Sequence, residues 1–136
     1  GQQYVWRYTY PDQDENTLNN AFDYETLVVP TDTTVTLEIT AQDVVHSWWI
    51  PKLGGKFDAV PGHTNYTWFN IPGRLAGQTF RGQCAELCGR NHANMVAHVR
   101  ALSPDDYAAY IERRKREIAG ANASAAEQRR EIEGQN

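Results

Sequence analysis

The segment TVTLEIT, residues 34–40, alternates strictly between polar and apolar side chains. This period of two is typical of a β-strand with one face in a core and the other in water. Further segments on both sides also have strand patterns, and Pro and Gly residues separate most of them. These segments are 3–10, 25–29, 44–50, 63–71 and 95–102. Many short strands without strand–helix alternation favour an all-β sandwich or closed barrel over a parallel α/β sheet.

A helix is predicted after the last strand, beginning at Ser103-Pro104-Asp105-Asp106. Ser is a good N-cap, Pro suits the first helical position, and acidic residues favour the first turn. Tyr107, Tyr110 and Ile111 follow at helical spacing and are expected to pack on the strands. The segment 119–136 has few apolar residues, so residues 1–118 are predicted to form the domain and 119–136 a poorly ordered tail or linker.

Composition excludes some classes of protein. With 136 residues and 40% hydrophobic content, the chain suits one domain, and its net charge of −4 argues against a nucleic-acid-binding protein. Between Tyr8 and Pro51 there are acidic residues and no Lys or Arg, which is consistent with a solvated surface or with attraction of a basic partner. The acids are Asp12, Asp14, Glu15, Asp23, Glu25, Asp32, Glu38 and Asp43.

The chain is predicted to be soluble as given. It has no apolar run near the ~20 residues of a membrane span and no signal-peptide pattern at its start. Because the first residues already read as a strand, we expect a further segment upstream in the full-length protein.

The segment CAELCGRNHANM, residues 84–95, carries the chemistry. It offers two thiols, an imidazole and a thioether, and this mixture of soft sulfur and nitrogen donors favours copper over hard cations. A mononuclear blue-copper site needs one Cys and two His, so the second cysteine is unexplained there. Cys84 and Cys88 are explained if both thiolates bridge two copper ions, with His92 and Met95 as further ligands.

A second imidazole must then come from elsewhere. His46, at the strand segment VHSWW, is the best candidate, whereas His63 and His98 lie in less suitable turn and strand contexts. The backbone carbonyl of Glu86, between the cysteines, can supply the remaining weak ligand.

These residues resemble the dinuclear copper A site of cytochrome c oxidase subunit II. The resemblance rests on His46 followed by Cys84-x-Glu86-x-Cys88-x-x-x-His92-x-x-Met95, and it extends from Gly1 to about Ile118. It implies a cupredoxin-like Greek-key barrel that follows two membrane helices, on the periplasmic or outer face of the membrane or in the intermembrane space. It further implies one-electron transfer from a cytochrome c, separate or fused beyond Asn136, to the haem-copper subunit I, which reduces oxygen to water.

The same resemblance assigns roles to the ligands. It implies that Cys84 and Cys88 bridge the two coppers, that His46 and His92 cap them, and that Met95 and the Glu86 carbonyl are weak axial ligands. In this family the carboxylate at the position of Glu86 also binds magnesium, together with subunit I. This second site is expected only in the intact oxidase.

One departure concerns the N-terminal segment, which in the family usually reads Gly-x-Gln-Trp-Tyr-Trp. Here Tyr4 replaces the first tryptophan, where electrons arrive from cytochrome c, and Trp6 matches the later one. The identity of the donor is therefore open. Trp48 is a plausible packing partner of His46, and Trp68 is expected to be mainly a core residue.

Other interpretations explain less of the sequence. A Cys84–Cys88 disulfide leaves His92 and Met95 without a role, and a zinc site leaves Met95 idle. A thioredoxin-like copper chaperone requires a βαβ pattern that is missing, and an interaction-only module leaves the soft donors without a purpose. The remaining alternative, the copper A domain of nitrous oxide reductase, resembles Cys-x-Trp-x-Cys at the thiolates, so Glu86 favours the oxidase. Quinol oxidase subunit II lacks the ligands.

Overall fold

The computed structural model describes residues 1–11 and 20–134. Within them it contains nine β-strands followed by one long α-helix, with short 3-10 helices in three of the loops. The strands are β1 Arg7–Tyr10, β2 Ala21–Tyr24, β3 Thr26–Pro30, β4 Thr34–Ile39, β5 His46–Trp49, β6 Lys56–Ala59, β7 Asn65–Asn70, β8 Thr79–Cys84 and β9 Val96–Leu102, and the helix is α1 Pro104–Glu133.

The strands form one curled five-stranded sheet and two ribbons. The sheet has the order β3-β9-β8-β5-β6, and the ribbons are β1-β2 and β4-β7. Pairing is antiparallel everywhere except between β3 and β9, which run parallel. Strands that are consecutive in the sequence are therefore not always neighbours in the sheet. The connection from β8 to β9 lies beside the start of β5.

The core lies between the sheet and the ribbons. Side chains of β9 alternate between the core and solvent, because Ala97, Val99 and Ala101 are fully buried while Arg100 is exposed. Trp48 stacks on Phe69 with ring centroids 6.5 Å apart, which joins the sheet to the β4–β7 ribbon. Burial of such aromatic rings contributes a large share of core stability.

Helix α1 begins where the sequence predicts. Ser103 is its N-cap, with its hydroxyl 3.3 Å from the Asp106 N–H that donates to it, and Pro104 occupies the first turn. Tyr107, Tyr110 and Ile111 pack against the core as expected. The helix continues to Glu133 through the segment predicted to be a tail, and most of its later residues are exposed. The domain boundary at residue 118 stays a prediction.

The predicted class, all-β with a C-terminal helix, is confirmed, and two details were wrong. Only Arg7–Tyr10 of the predicted strand 3–10 is a strand, because the first six residues make their hydrogen bonds elsewhere. Trp68 is 68% exposed rather than in the core. It shares the outer face of β7 with Tyr66, while Phe69 points inward. Among the described residues, no helix is both long and apolar enough to cross a membrane.

Candidate metal centre

The sulfur-rich segment forms the loop between β8 and β9. Cys84 is the last residue of β8 and Met95 directly precedes β9, and the Cys84 N–H donates to the Met95 carbonyl at 2.9 Å. His46 is the first residue of β5, which pairs with β8. The Ala85 N–H donates to the Ser47 carbonyl at 2.8 Å and draws the start of the loop against β5. The sheet therefore brings together ligands that are 38 residues apart in sequence.

Four candidate ligand atoms form a continuous series of contacts. His46 Nδ1 is 3.8 Å from Cys84 Sγ, the two Sγ atoms are 3.9 Å apart, and Cys88 Sγ is 3.5 Å from His92 Nδ1. The two sulfur atoms are adjacent, and each contacts one imidazole; the ligand atoms of His46, Cys84 and Cys88 all lie within 4.8 Å of one another. Both cysteines are free thiols.

The two weak donors contact different sulfur atoms. The Glu86 carbonyl oxygen is 3.2 Å from Cys84 Sγ, and Met95 Sδ is 3.8 Å from Cys88 Sγ. Met95 is fully buried, whereas Glu86 is exposed. All six predicted site residues therefore meet at one end of the molecule.

The thiols are shielded from water. Burial, together with the charge and hydrogen bond of the adjacent Cys84, raises the pKa of the Cys88 thiol to about 11. Without a cation nearby, the Cys88 thiol therefore holds its proton at neutral pH. A metal ion reverses this preference, because a coordinated thiol is deprotonated.

His46 is held by several contacts among the candidate ligands. Its ring is fully buried, its Nε2 lies 2.9 Å from Asp43 Oδ1, and Trp6 meets it edge-on with centroids 5.9 Å apart. Burial opposes ionisation of Asp43, but hydrogen bonds from the Gln3 N–H, His46 and the Val44 N–H outweigh it and lower the carboxyl pKa to about 2. An ionised Asp43 accepts a hydrogen bond from the Nε2–H group and leaves Nδ1 free to face the sulfur atoms.

Two participants were missed by sequence reasoning. Asp43 was counted only as part of an acidic stretch, although its position three residues before His46 is a usable signal. Gln3 was placed in a strand, yet it contacts both Asp43 and Cys88. His63 is exposed in a turn and His98 lies within β9. Among residues 1–11 and 20–134, the group of three or more possible metal ligands is His46, Cys84 and Cys88.

Comparison with known proteins decides the family. Residues 19–102 match the model for the periplasmic domain of cytochrome c oxidase subunit II. The chain belongs to the cytochrome c oxidase subunit II family. It corresponds to the part of that subunit called the periplasmic domain, and this confirms the resemblance stated from the ligand spacing.

Relatives and solved structures agree. The chain is 36% identical to cytochrome c oxidase subunit 2 of Alkalihalophilus pseudofirmus across 100% of its own length and 37% of the relative. It is also 44% identical to the subunit 2 of Cereibacter sphaeroides over 63% of its length, which is 27% of that protein. The chain thus spans about a third of the curated relatives it matches.

The structural comparison confirms the cupredoxin-like fold class. The crystal structure of the periplasmic domain of subunit II of cytochrome oxidase from Bradyrhizobium japonicum is similar with a TM-score of 0.75 and 30% identity, covering 87% of this chain and 91% of that one. A second structure holds subunit II of cytochrome c oxidase in a mixed disulfide with a thioredoxin-like protein; its TM-score is 0.67, with 32% identity and coverage of 87% and 88%.

Proposed function

We propose that this domain carries electrons one at a time through a dinuclear copper centre held by His46, Cys84, Cys88, His92, Met95 and the Glu86 carbonyl. The observation that carries the proposal is a series of contacts in which each of two adjacent sulfur atoms contacts one imidazole. The electron donor is a cytochrome c, either a separate protein or a fused domain. The acceptor is subunit I of an oxidase that reduces oxygen to water.

The donor spacings fit metal ions without large rearrangement. Donors bound to one ion at about 2.0–2.3 Å in a tetrahedral arrangement lie about 3.3–3.8 Å apart. The ligand atoms that contact one another are separated by 3.5 to 3.9 Å. The soft donor set favours copper.

The spread of the donors favours two ions over one. The ligand atoms of His46, Cys84 and Cys88 all lie within 4.8 Å of one another, and His92 is outside this group although it contacts Cys88. One ion at the His46 end would leave His92 without a role. Two ions that share the two sulfur atoms give each imidazole an ion of its own.

The chain's own residues supply rigidity and insulation. A copper pair, when bound, supplies one-electron redox chemistry with the charge shared between both ions. The β5 and β8 strands fix His46 and Cys84, and the buried Met95 and Trp6 exclude water from one side. Fixed ligands limit the rearrangement that accompanies a change of charge, so little activation energy is needed.

The surface above the site is suited to contact with redox partners. Leu87 is 78% exposed within the cysteine loop, and Val44 and Val45, directly before His46, are 38% and 40% exposed. Tyr4 stands where the family usually has tryptophan, and its hydroxyl accepts a hydrogen bond from the Arg90 N–H at 3.1 Å. This contact offers a short route from Tyr4 to the cysteine loop. The acidic stretch would attract a basic donor, although Asp12, Asp14 and Glu15 lie outside the described residues.

The remaining predictions belong to the intact oxidase. Membrane anchoring by upstream helices and magnesium binding at Glu86 both require parts of the oxidase outside this chain. The exposed Glu86 side chain is compatible with magnesium binding. The nitrous oxide reductase alternative is disfavoured by the family match.

A second role follows from the need for reduced thiols. A relative forms a mixed disulfide with a thioredoxin-like protein. We propose that the Cys84–Cys88 pair, when oxidised, is likewise reduced by such a dithiol protein, which itself becomes a disulfide, before copper is bound.

A copper count combined with electron paramagnetic resonance tests the main proposal. We expect two coppers per chain and a spectrum in which one unpaired electron is shared equally by both nuclei. One copper with a simple four-line pattern would contradict the dinuclear site. The Cys88→Ser variant should lose the shared-electron spectrum, whereas Met95→Leu should keep both coppers and change the reduction potential.

A further inference from the structure

The first six residues lie directly over the metal centre, and we call residues 1–6 the N-terminal clamp. They form a compact turn in which the Gln2 and Val5 backbones exchange hydrogen bonds of 3.1 and 2.7 Å. The turn is joined to the β4–β5 connection, because the Gln42 N–H donates to the Gly1 carbonyl at 2.9 Å. The clamp thus belongs to the site's surroundings and not to a sheet.

Gln3 is the residue of the clamp that touches both ligand-bearing loops. Its backbone N–H donates to Asp43 Oδ2 at 2.6 Å, on the turn that leads into His46. Its side-chain Nε2 donates to the Cys88 carbonyl at 2.5 Å, on the cysteine loop. Gln3 therefore links Asp43, which supports His46, to the backbone of Cys88.

Two further contacts hold the same face. The Tyr4 hydroxyl accepts from the Arg90 N–H, and Trp6 packs against the His46 ring. Between them lies Gly89, whose φ of 136° is in the region that favours glycine. A Cβ on Gly89 would come within 2.5 Å of the Tyr4 hydroxyl and 2.7 Å of Gln3 Nε2, so the absence of a side chain lets the clamp approach the loop.

We infer that Gln3 is a positioning residue for the metal centre: its side chain fixes the Cys88 end of the loop relative to the Asp43–His46 pair. Residues 85–94 lie between β8 and β9 and make few backbone hydrogen bonds to neighbouring strands. The placement of Cys88 and His92 therefore depends on contacts from outside the loop. The inference deepens the proposed function and rests on it, since the positioned groups are the proposed copper ligands.

The test compares Gln3→Met with the wild type. Methionine has nearly the same length and volume but cannot donate to the Cys88 carbonyl, while the backbone bond to Asp43 is kept. Gln78→Met is the matched control, because Gln78 is exposed in the turn before β8. We expect Gln3→Met to bind two coppers but to release them to a copper(I) chelator about fivefold faster, which corresponds to loss of one hydrogen bond.

A spectroscopic reading separates positioning from general stability. The visible bands and the copper hyperfine pattern of Gln3→Met should shift, while Gln78→Met keeps the wild-type spectrum. Release at the wild-type rate with an unchanged spectrum would overturn the inference. Tyr4→Phe removes a second contact to the same loop, and the double variant Gln3→Met/Tyr4→Phe should show less than the product of the two single effects, because both act through one element.

A copper-free measurement keeps the inference independent of the proposed function. Cys84 and Cys88 are 2% and 4% exposed in the wild type. Without the Gln3 side chain, the loop should open more often, and modification of these thiols by Ellman's reagent should be about fivefold faster. An unchanged modification rate would count against the clamp even if copper bound normally. Failure of the wild type to bind two coppers would instead refute the proposed function, and the thiol rates would still decide the role of Gln3.

Discussion

Asp43 and Asp23 belong to the same acidic stretch of the sequence, yet they do different work at two places in the molecule. Asp43 lies beside the candidate metal centre and accepts hydrogen bonds from the Gln3 N–H, the Val44 N–H and His46. Asp23 lies on β2 beneath α1.

The Asp23 network consists of side chains from the ribbon and the helix. Asp23 Oδ2 accepts from the Tyr10 hydroxyl at 2.8 Å and from the Tyr110 hydroxyl at 2.7 Å, and Arg114 Nε lies 3.2 Å from Oδ1. Tyr10 in turn accepts from the Val28 N–H at 2.9 Å. The Asp23 side chain is 15% exposed and that of Asp43 is 32% exposed.

The difference shows that a run of like charges is not one surface. Asp23 joins β1, β2 and α1, so it serves the fold. Asp43 orients an imidazole, so it serves the site. Changes at the two aspartates should therefore affect different measurements.

The largest effect is expected for Asp23→Ala. The change leaves Tyr10, Tyr110 and Arg114 without their common partner and should lower the free energy of unfolding by about 2–3 kcal/mol, because these groups are largely shielded from water. Urea unfolding followed by circular dichroism measures this. Glu38→Ala, an exposed acid on β4, is the control and should change the value by less than about 0.5 kcal/mol. Equal effects of the two variants would contradict the assigned role of Asp23.

Asp43→Asn should affect copper affinity more than stability, the reverse of Asp23→Ala. The amide keeps the size of the carboxylate but loses its charge and part of its accepting capacity, so His46 is less well oriented. We expect copper affinity to fall about tenfold, as is usual when a partner of a metal ligand is changed, while copper-free stability changes by less than in Asp23→Ala. Competition with a chelator measures the affinity. A loss of stability as large as that of Asp23→Ala, with copper affinity unchanged, would contradict the role assigned to Asp43.

Alkaline pH should weaken the Asp23 end of the molecule. Burial and the neighbouring Asp23 raise the pKa of Tyr110 from 10.0 to about 12. Because the folded state holds this proton more tightly than the unfolded state, the contribution of Tyr110 to stability is complete below pH 10 and is lost as the pH rises to about 12.

Tyr110→Phe removes that titration. Its free energy of unfolding should fall less steeply between pH 10 and 12 than that of the wild type. Urea titrations at a series of pH values measure the two slopes. Tyr66→Phe, at a tyrosine that is 63% exposed, is the matched control and should retain the wild-type slope.

The smallest effect is expected in the distal part of α1. Gly120 has open space around it, so Gly120→Ala should raise local helix stability by about 1 kcal/mol without a new contact. Helical circular dichroism should increase slightly, and the urea midpoint of the strands, read from near-ultraviolet signals, should not move. A shifted midpoint would indicate that residues near Gly120 are coupled to the barrel.

Strands with a strong period of two were predictable from the sequence. The segment 34–40 became β4, and 95–102 became β9 with a one-residue difference at its start. Strands β2, β6 and β8 were missed, because two have only four residues and β8 contains Gly82 and polar residues. For Trp68, hydrophobicity alone was misleading. Trp68 lies on the opposite face of the segment from Phe69 and Ile71, so only one of these two faces could lie in the core.

The ligands of the candidate site were readable because each donor type has its own chemistry and the loop keeps them close in sequence. Their supports were not readable in the same way. Gln3 and Asp43 act through hydrogen bonds across 40 residues of chain, and such pairs leave no periodic pattern. Only the folded chain brings Gln3 to the cysteine loop and to Asp43.

The four indole rings also differ in their surroundings, and this gives the protein a built-in optical comparison. Trp6 is 3% exposed and contacts the ring of His46, whereas Trp68 is 68% exposed on the outer face of β7. An ion held by His46 would quench the blue-shifted fluorescence of Trp6 at short range and leave the red-shifted emission of Trp68 as an internal reference. The colour of the emitted light would thus follow occupancy without any added label.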